Sequence, residues 1–431
     1  MSGQPEFVAE VDQNEYLPAG RRIVDAIVTV TASGAGLRGG GTGALSAAEV
    51  IMIDTSGSMN VPQSKIQEAK RATAVAIDTL RDGVAFAVIA GSAHARMVYP
   101  GQPGMMAANP QTRAEAKQAV SRLRAEGGTA IGRWLHLANH LFAHQPAEAR
   151  HAILLTDGQN AHETPHDLQR VLDSCEGRFV CDSRGVGDDW VADELRKVAS
   201  TLLGTADGLE DPAELPAAFQ AMISSAMGKS VADVALRVWT PTGATVRFVK
   251  QVFPQVEDLT GRRTEVSARI GEYPTGSWGA ESRDYHVSVE LEPQAVGEEL
   301  LAARISLVAA DQVLTERLVL ARWTDDEELS TRINRQVAHY TGQAELAEAI
   351  QDGLKARDAG DVETATAKLG RAVQLATESG HTDTAKLLAR VVDVVDAPNG
   401  TVRLKKRVSG VDAELTNVRS VKTVRVKKTQ D

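Results

Sequence analysis

Cysteine, aromatic side chains and long apolar runs are all scarce in this chain, and each scarcity excludes something. Cysteine occurs twice, as Cys175 and Cys181, so no disulfide framework holds the fold, and two thiols suit a reducing compartment. Both are expected as free, buried thiols that pack like small apolar groups. Aromatics make up 4% of a chain that is 43% hydrophobic, so its cores must be aliphatic and alanine-rich. No apolar run approaches the ~18 residues of a membrane span. The opening residues, MSGQPEFVAEVDQ, lack the basic start and apolar stretch of a secretory leader. A cytoplasmic protein without a membrane role is the expectation. The net charge of -10 argues against coating nucleic acid or an anionic surface. Residues 401–431 run against that balance, with nine Lys/Arg and three Asp/Glu. They lack interleaved aromatics, so nucleic acid is not the expected partner.

What is present suggests several domains, since 431 residues are enough for two to four. Residues 1–46 read as two strands, FVAEV and IVDAIVTVT, followed by SGAGLRGGGTGALS. That glycine-rich stretch has neither the Lys-Ser/Thr nor the spacing of a phosphate-binding loop, and reads as a linker. Over 47–228, continuous apolar strands (AEVIMID, VAFAVIAG, HAILLTD) alternate with helical patterns. This predicts a doubly wound, Rossmann-like α/β domain. Its helices are expected from Pro62 to about Leu80, from a Thr112/Glu115 capping box to Gly127-Gly128, from Ala130 to His144, and from Thr164-Pro165. Over 229–325 the period returns to two in six strand-like segments, which predicts an antiparallel β-sandwich. Two strands alone make no stable sheet, so the first two strands are expected to complete that sandwich, with the α/β domain inserted. Residues 326–396 hold four helical stretches, read as a helical bundle because a solenoid needs at least three repeats. Residues 397–431 read as a β-hairpin or a basic tail.

The chemistry concentrates in AEVIMIDTSGSMN, residues 48–60. A buried strand ends on Asp54, and Ser56 and Ser58 follow at i+2 and i+4. An ordinary turn needs only glycine, asparagine or aspartate; three oxygen-bearing side chains in this rhythm point to an oxygen-seeking ligand. Thr129 in GGTA and Asp157 in LLTDG add oxygens beyond other elements at the same sheet edge, where doubly wound folds bind ligands.

Residues 47–228 resemble a von Willebrand factor type A domain of the bacterial, particularly actinobacterial, cytoplasmic type. The resemblance rests on Asp54, Ser56, Ser58, Thr129 and Asp157, which match the family's metal-ion-dependent adhesion site. It implies Mg²⁺ bound directly by Ser56 and Ser58, with Mn²⁺ or Ca²⁺ as alternatives. Thr129 would bind directly or through water, and Asp54 and Asp157 through water or from behind. Mg²⁺ is hard and octahedral and keeps several waters, so neutral hydroxyls leave its charge under-neutralised and an outside carboxylate is welcome. The implied function is Mg²⁺-dependent protein–protein interaction: an adaptor capturing a partner's Asp or Glu in a bacterial stress-response or kinase/phosphatase signalling complex. An adaptor subunit of a chelatase-like AAA+ ATPase is the alternative.

Other candidates have simpler readings. His136, His140 and His144 share one helical face, read as solvated. His162 and His166 read as helix-start residues, and Asp188 and Asp189 as acids at a helix N-terminus. No G-x-S-x-G, H-E-x-x-H, Walker or kinase pattern is present. The serines have no expected general base beside them, so a metal-dependent hydrolase is disfavoured and the chain reads as a non-enzyme.

Overall fold

The computed structural model describes residues 5–34 and 45–426. Most of the glycine-rich linker and the last five residues of the basic end lie outside them. Two compact units emerge. One is drawn, within the described residues, from Met1–Arg38, Ser230–Lys405 and Ser420–Asp431; the other from Gly39–Lys229 and Lys406–Arg419.

The chain opens with β1 (Glu6–Gln13), β2 (Tyr16–Pro18) and β3 (Ile23–Ser33). The α/β unit then follows as β4 (Ala47–Asp54), α1 (Ser64–Thr79), β5 (Ala85–Gly91), β6 (Ala95–Tyr99), β7 (Met106–Ala107), α2 (Pro110–Ser121), α3 (Ile131–Ala143), β8 (Ala149–Thr156), α4 (Pro165–Cys175), β9 (Val180–Val186), α5 (Ala192–Thr201), β10 (Ala206–Leu209) and α6 (Leu215–Met227). Its main sheet runs β10-β9-β8-β4-β5-β6. β4 pairs in parallel with β5 on one side and β8 on the other. The chain therefore leaves β4 in one direction and returns on its opposite side, and the crevice of the topological switch opens beyond the ends of β4 and β8. β4 is buried on both faces: Val50, Ile51, Met52 and Ile53 are all at 0% exposure, which is why its sequence shows no alternation. One face carries Ile51, Ile53, Phe86, Ile153 and Leu155 against Ala69, Ala72 and Ala76 of α1 and Phe219 of α6. The alanine-rich core expected from so few aromatics is what is seen.

The sequence placed two features of this unit imperfectly. α2 is capped by Asn109, whose side chain accepts from the Thr112 amide while Thr112 returns the bond to the Asn109 amide. The capping box is thus Asn109/Thr112, with Pro110 in the first turn, where its missing N–H costs nothing. The helix also stops at Ser121, leaving 122–130 as a loop that carries Thr129.

Beyond the α/β unit run β11 (Val231–Trp239), β12 (Thr245–Phe253), β13 (Glu257–Asp258), β14 (Thr264–Ser267), β15 (Ile270–Trp278), β16 (Ser282–Glu290), β17 (Glu299–Ala309) and β18 (Gln312–Thr324). They form two sheets with the opening strands. One is ordered β1-β3-β16-β12-β13, the other β14-β15-β11-β17-β18-β2. β3 thus pairs antiparallel with β16, Val28 opposite Tyr285. Phe7 of the first sheet meets Trp278 of the second edge-on, centroids 5.8 Å apart.

Helices α7 (Glu327–Ser330), α8 (Arg335–Asp358), α9 (Val362–Glu378) and α10 (Thr382–Val391) follow. α8 lays Val337 and Tyr340 onto Ile27 and Val252 of the first sheet. Residues 392–396, expected as helix, are strand: β19 (Val392–Asp396) pairs with β20 (Thr401–Leu404). A final helix, α11 (Gly410–Arg419), went unrecognised in the basic end and clusters with the α/β unit. Beyond it, Arg425 pairs with the buried Asp284 at 2.6 Å.

Candidate functional site

Asp54 closes β4 with its carboxylate fully buried. Oδ1 accepts the Ser56 amide at 2.7 Å, and Oδ2 accepts the Thr156 hydroxyl at 2.6 Å. Burial pushes its pKa up to about 6, against the Ser56 and Thr156 hydrogen bonds that favour the anion; nearby Asp157 adds to the rise. A cation placed close by would act in the opposite sense.

The Ser56 and Ser58 hydroxyls lie 2.9 Å apart. Ser58 Oγ donates to Asp157 Oδ1 at 2.7 Å, and Lys65 Nζ donates to Asp157 Oδ2 at 2.9 Å. Thr129 arrives on the 122–130 loop, which two backbone bonds tie to the serine loop: Glu126 N–H to Thr55 O at 2.6 Å and Gly57 N–H to Gly127 O at 2.9 Å. A Cβ built on Gly158 would lie 3.4 Å from Ser58 Oγ and 3.6 Å from Thr129 Oγ1. Both hydroxyls therefore converge on the space above that glycine. Among the described residues, the Thr129 hydroxyl has no hydrogen-bond partner. The structure brings all five sequence-predicted oxygens to one sheet edge. Hydroxyls with two buried carboxylates behind them are the donor set of a hard cation.

Further residues hold this arrangement, and the sequence did not single them out for it. Ala130 supplies no side-chain cap for α3. Instead the Ile131 amide donates to Asn160 Oδ1 at 2.8 Å and the Gly132 amide to Glu163 Oε1 at 2.7 Å. Two orphan donors of a helix start are thereby satisfied from the loop after β8. His162 accepts the Thr129 amide at Nδ1, 3.2 Å, and its own amide donates to Thr129 O at 3.0 Å. Its ring lies so close to Gly128 that a Cβ there would be 1.9 Å from Cε1. His162 thus positions the Thr129 loop and does not serve as a helix-start residue, because α4 is capped by Thr164.

The remaining candidates are settled by placement. His136, His140 and His144 are exposed; the His140 and His144 rings meet tilted, centroids 4.4 Å apart, and His144 Nδ1 lies 2.8 Å from the His140 carbonyl. Asp188 and Asp189 precede α5, whose first-turn acids are Asp193 and Glu194; Asp189 instead lies 4.0 Å from Lys65. Cys175 and Cys181 are free and buried, and burial pushes the Cys175 thiol up to about 11. The expectation that no base adjoins the serines is corrected, since Asp157 touches Ser58. The other oxygen of that carboxylate is held by the Lys65 ammonium at 2.9 Å.

Residues 48–207 match the family model described as the von Willebrand factor type A domain, and residues 374–420 the von Willebrand factor type A C-terminal domain. The chain is 52% identical to a solved von Willebrand factor type A structure from Catenulispora acidiphila, covering 98% of each chain with a TM-score of 0.92. The ArnB paralog VWA2 from Sulfolobus acidocaldarius shares the fold at 14% identity, covering 97% of this chain and 98% of that one, with a TM-score of 0.58. A protein of Synechocystis sp. is 30% identical over 215 residues, which span 49% of this chain and 49% of that protein. The chain thus spans about half the length of that curated relative.

Proposed function

This chain belongs to the von Willebrand factor type A family, and we propose that it is a Mg²⁺-dependent interaction protein whose site takes an acidic side chain from a protein partner. The observation that carries this reading is the convergence of the Ser58 and Thr129 hydroxyls above Gly158, with Ser56 beside them. In this reading Ser56 and Ser58 would hold the ion directly, and Thr129 directly or through water. When bound, it supplies an open coordination position for an anionic oxygen.

The protein's own residues do the rest. Asp54, pinned by the Ser56 amide and Thr156, fixes the loop that presents both serines. Asp157 orients Ser58 and adds negative charge without closing the face toward the partner. Asn160, His162 and Glu163 hold the Thr129 loop in place. With both carboxylates acting from behind, the ion's charge is left for the partner's Asp or Glu. The setting we propose is a bacterial cytoplasmic stress-response or signalling complex, on a β-sandwich platform with the α/β domain inserted and a helical bundle following. An adaptor for an AAA+ ATPase is the alternative, and Mg²⁺-dependent co-purification of an ATPase distinguishes it.

Titration calorimetry with Mg²⁺ and Mn²⁺ tests the site. The full chain should bind, and a Ser56→Ala/Ser58→Ala variant with an unchanged melting profile should not. Equal binding by that variant removes the assignment.

A further inference from the structure

Lys65 is absent from the site as read in the sequence, and nothing in that reading requires it. It stands on the first turns of α1, yet it is only 3% exposed. Its ammonium lies 2.9 Å from Asp157 Oδ2 while Ser58 holds Oδ1 of the same carboxylate. A long, flexible lysine is seldom buried, because desolvating its charge is costly unless a partner compensates. Here the side chain is held by shape as well. Its Cε lies over Gly187, where an added Cβ would fall 2.7 Å from it. Gly187 has a φ of +79°, so this opening in the wall depends on a residue without a side chain. A second carboxylate, Asp189, stands 4.0 Å away and is itself 65% exposed.

We infer that Lys65 is a resident counter-ion that competes with the divalent cation for Asp157, making cation binding at this site weak and reversible. The inference rests on the metal-site reading above. The charge count supports it. Asp54 and Asp157 bring two negative charges; Lys65 cancels one of them, in a place where water screens little. A dication entering beside Ser58 meets both a half-neutralised carboxylate and a fixed positive charge behind it. Drawing Asp157 toward the cation loosens the Lys65 pair, and Asp189 is then the ammonium's alternative partner. The consequence for function is a site whose occupancy follows ambient cation concentration. Asp157, shared between the cation and Lys65, also leaves part of the ion's charge for an outside carboxylate.

The test uses the full chain and Mn²⁺ alone as probe. Dissociation constants are measured calorimetrically for the unaltered protein, Lys65→Met, Lys65→Gln and the Ser56→Ala/Ser58→Ala variant, with melting temperatures in EDTA and in MnCl₂. Lys65→Met and Lys65→Gln should bind Mn²⁺ at least about tenfold more tightly, the effect expected from removing one nearby like charge. Their melting temperatures should fall in EDTA, because Asp157 is left buried and unpaired, and should rise on adding Mn²⁺ by more than the unaltered protein's does. If a Lys65 variant is unfolded in EDTA, refolding on Mn²⁺ addition supports the inference and failure to refold overturns it. Unchanged or weaker Mn²⁺ binding by both lysine variants overturns it too, while binding by the unaltered protein and not by the serine variant leaves the metal site standing. If none of the four proteins binds Mn²⁺, the metal-site reading falls and this inference with it.

Discussion

Thr156 Oγ1 donates to Asp54 Oδ2 at 2.6 Å, joining the end of β8 to the end of β4. The two residues are neighbours only because those strands pair in parallel, with Ile53 opposite Leu155. Since Asp54 is wholly buried, its oxygens must find donors inside the protein.

Replacing Thr156 by Val removes that donor while keeping the shape. The unsatisfied carboxylate oxygen should cost about 1–3 kcal/mol of stability. It should also weaken divalent-cation binding by letting the serine loop shift. Thr156→Ser should restore most of both losses, measured by denaturant titration and calorimetry. A loss in Thr156→Ser with none in Thr156→Val would mean that the methyl packing matters and the hydroxyl does not.

A second prediction concerns pH. At the opposite end of the same strands His151 lies between carboxylates, Nδ1 2.9 Å from both Glu49 oxygens and Nε2 3.1 Å from Asp182. Burial alone would disfavour the charged ring, but Glu49 and Asp182 outweigh it and raise His151 to about 10. Burial likewise opposes the Asp182 anion, yet hydrogen bonding to His151 holds its carboxyl below the ordinary range. A raised histidine binds its proton more tightly when folded. Its stabilisation is therefore complete below the ordinary value of 6.5 and is lost progressively as pH rises through about 10. Calorimetry from pH 6.5 to 10 should show the α/β transition falling with pH, with a shallower slope in His151→Gln.

The C-terminal helix is predicted to be part of the α/β unit's stability. Leu415 of α11 is 2% exposed and fits against Gly208, where a Cβ would lie 2.9 Å from it. Glu414 accepts the Ala192 amide at 2.6 Å, and Arg419 meets Asp207 at 2.7 Å. Leu415→Ala should cost about 2–5 kcal/mol locally. Amide exchange should accelerate in α11 and β10, with α1 unaffected. Unchanged exchange in β10 would mean that the helix contributes nothing there.

The opening strands are predicted to stabilise the other unit. Ile27 on β3 is fully buried with Val252, Val337 and Tyr340. Ile27→Ala should cost about 2–5 kcal/mol and speed amide exchange in β12, β16 and α8. Faster exchange confined to the α/β unit would contradict the pairing of β3 with β16.

What the sequence made legible follows from distance along the chain. Asp54, Ser56 and Ser58 share one strand end, and Asp157 directly follows a plain apolar strand, so their common edge was readable. Lys65 and Thr156 were not, because their roles depend on how α1 lies over the sheet and how β4 and β8 register. β15 went unread because IGEYPTGSW carries Gly271, Pro274 and Gly276, residues that normally argue against a strand. α11 is hard to read in the sequence because its few apolar residues acquire meaning only where Leu415 meets Gly208 of β10. His162 reads as a helix-start residue in the sequence, and its role depends on the Gly128 backbone that lies against its ring.

The most direct test of the whole account is a crystal of the full chain grown with MnCl₂, with data collected at the manganese edge. The account predicts an anomalous peak within about 2.0–2.3 Å of Ser56 Oγ and Ser58 Oγ. Thr129 should be in reach directly or through one water, and an acidic or buffer oxygen should fill the outward position. A map with no peak there, and with Ser58 still hydrogen-bonded to Ser56 and to Asp157, would contradict it.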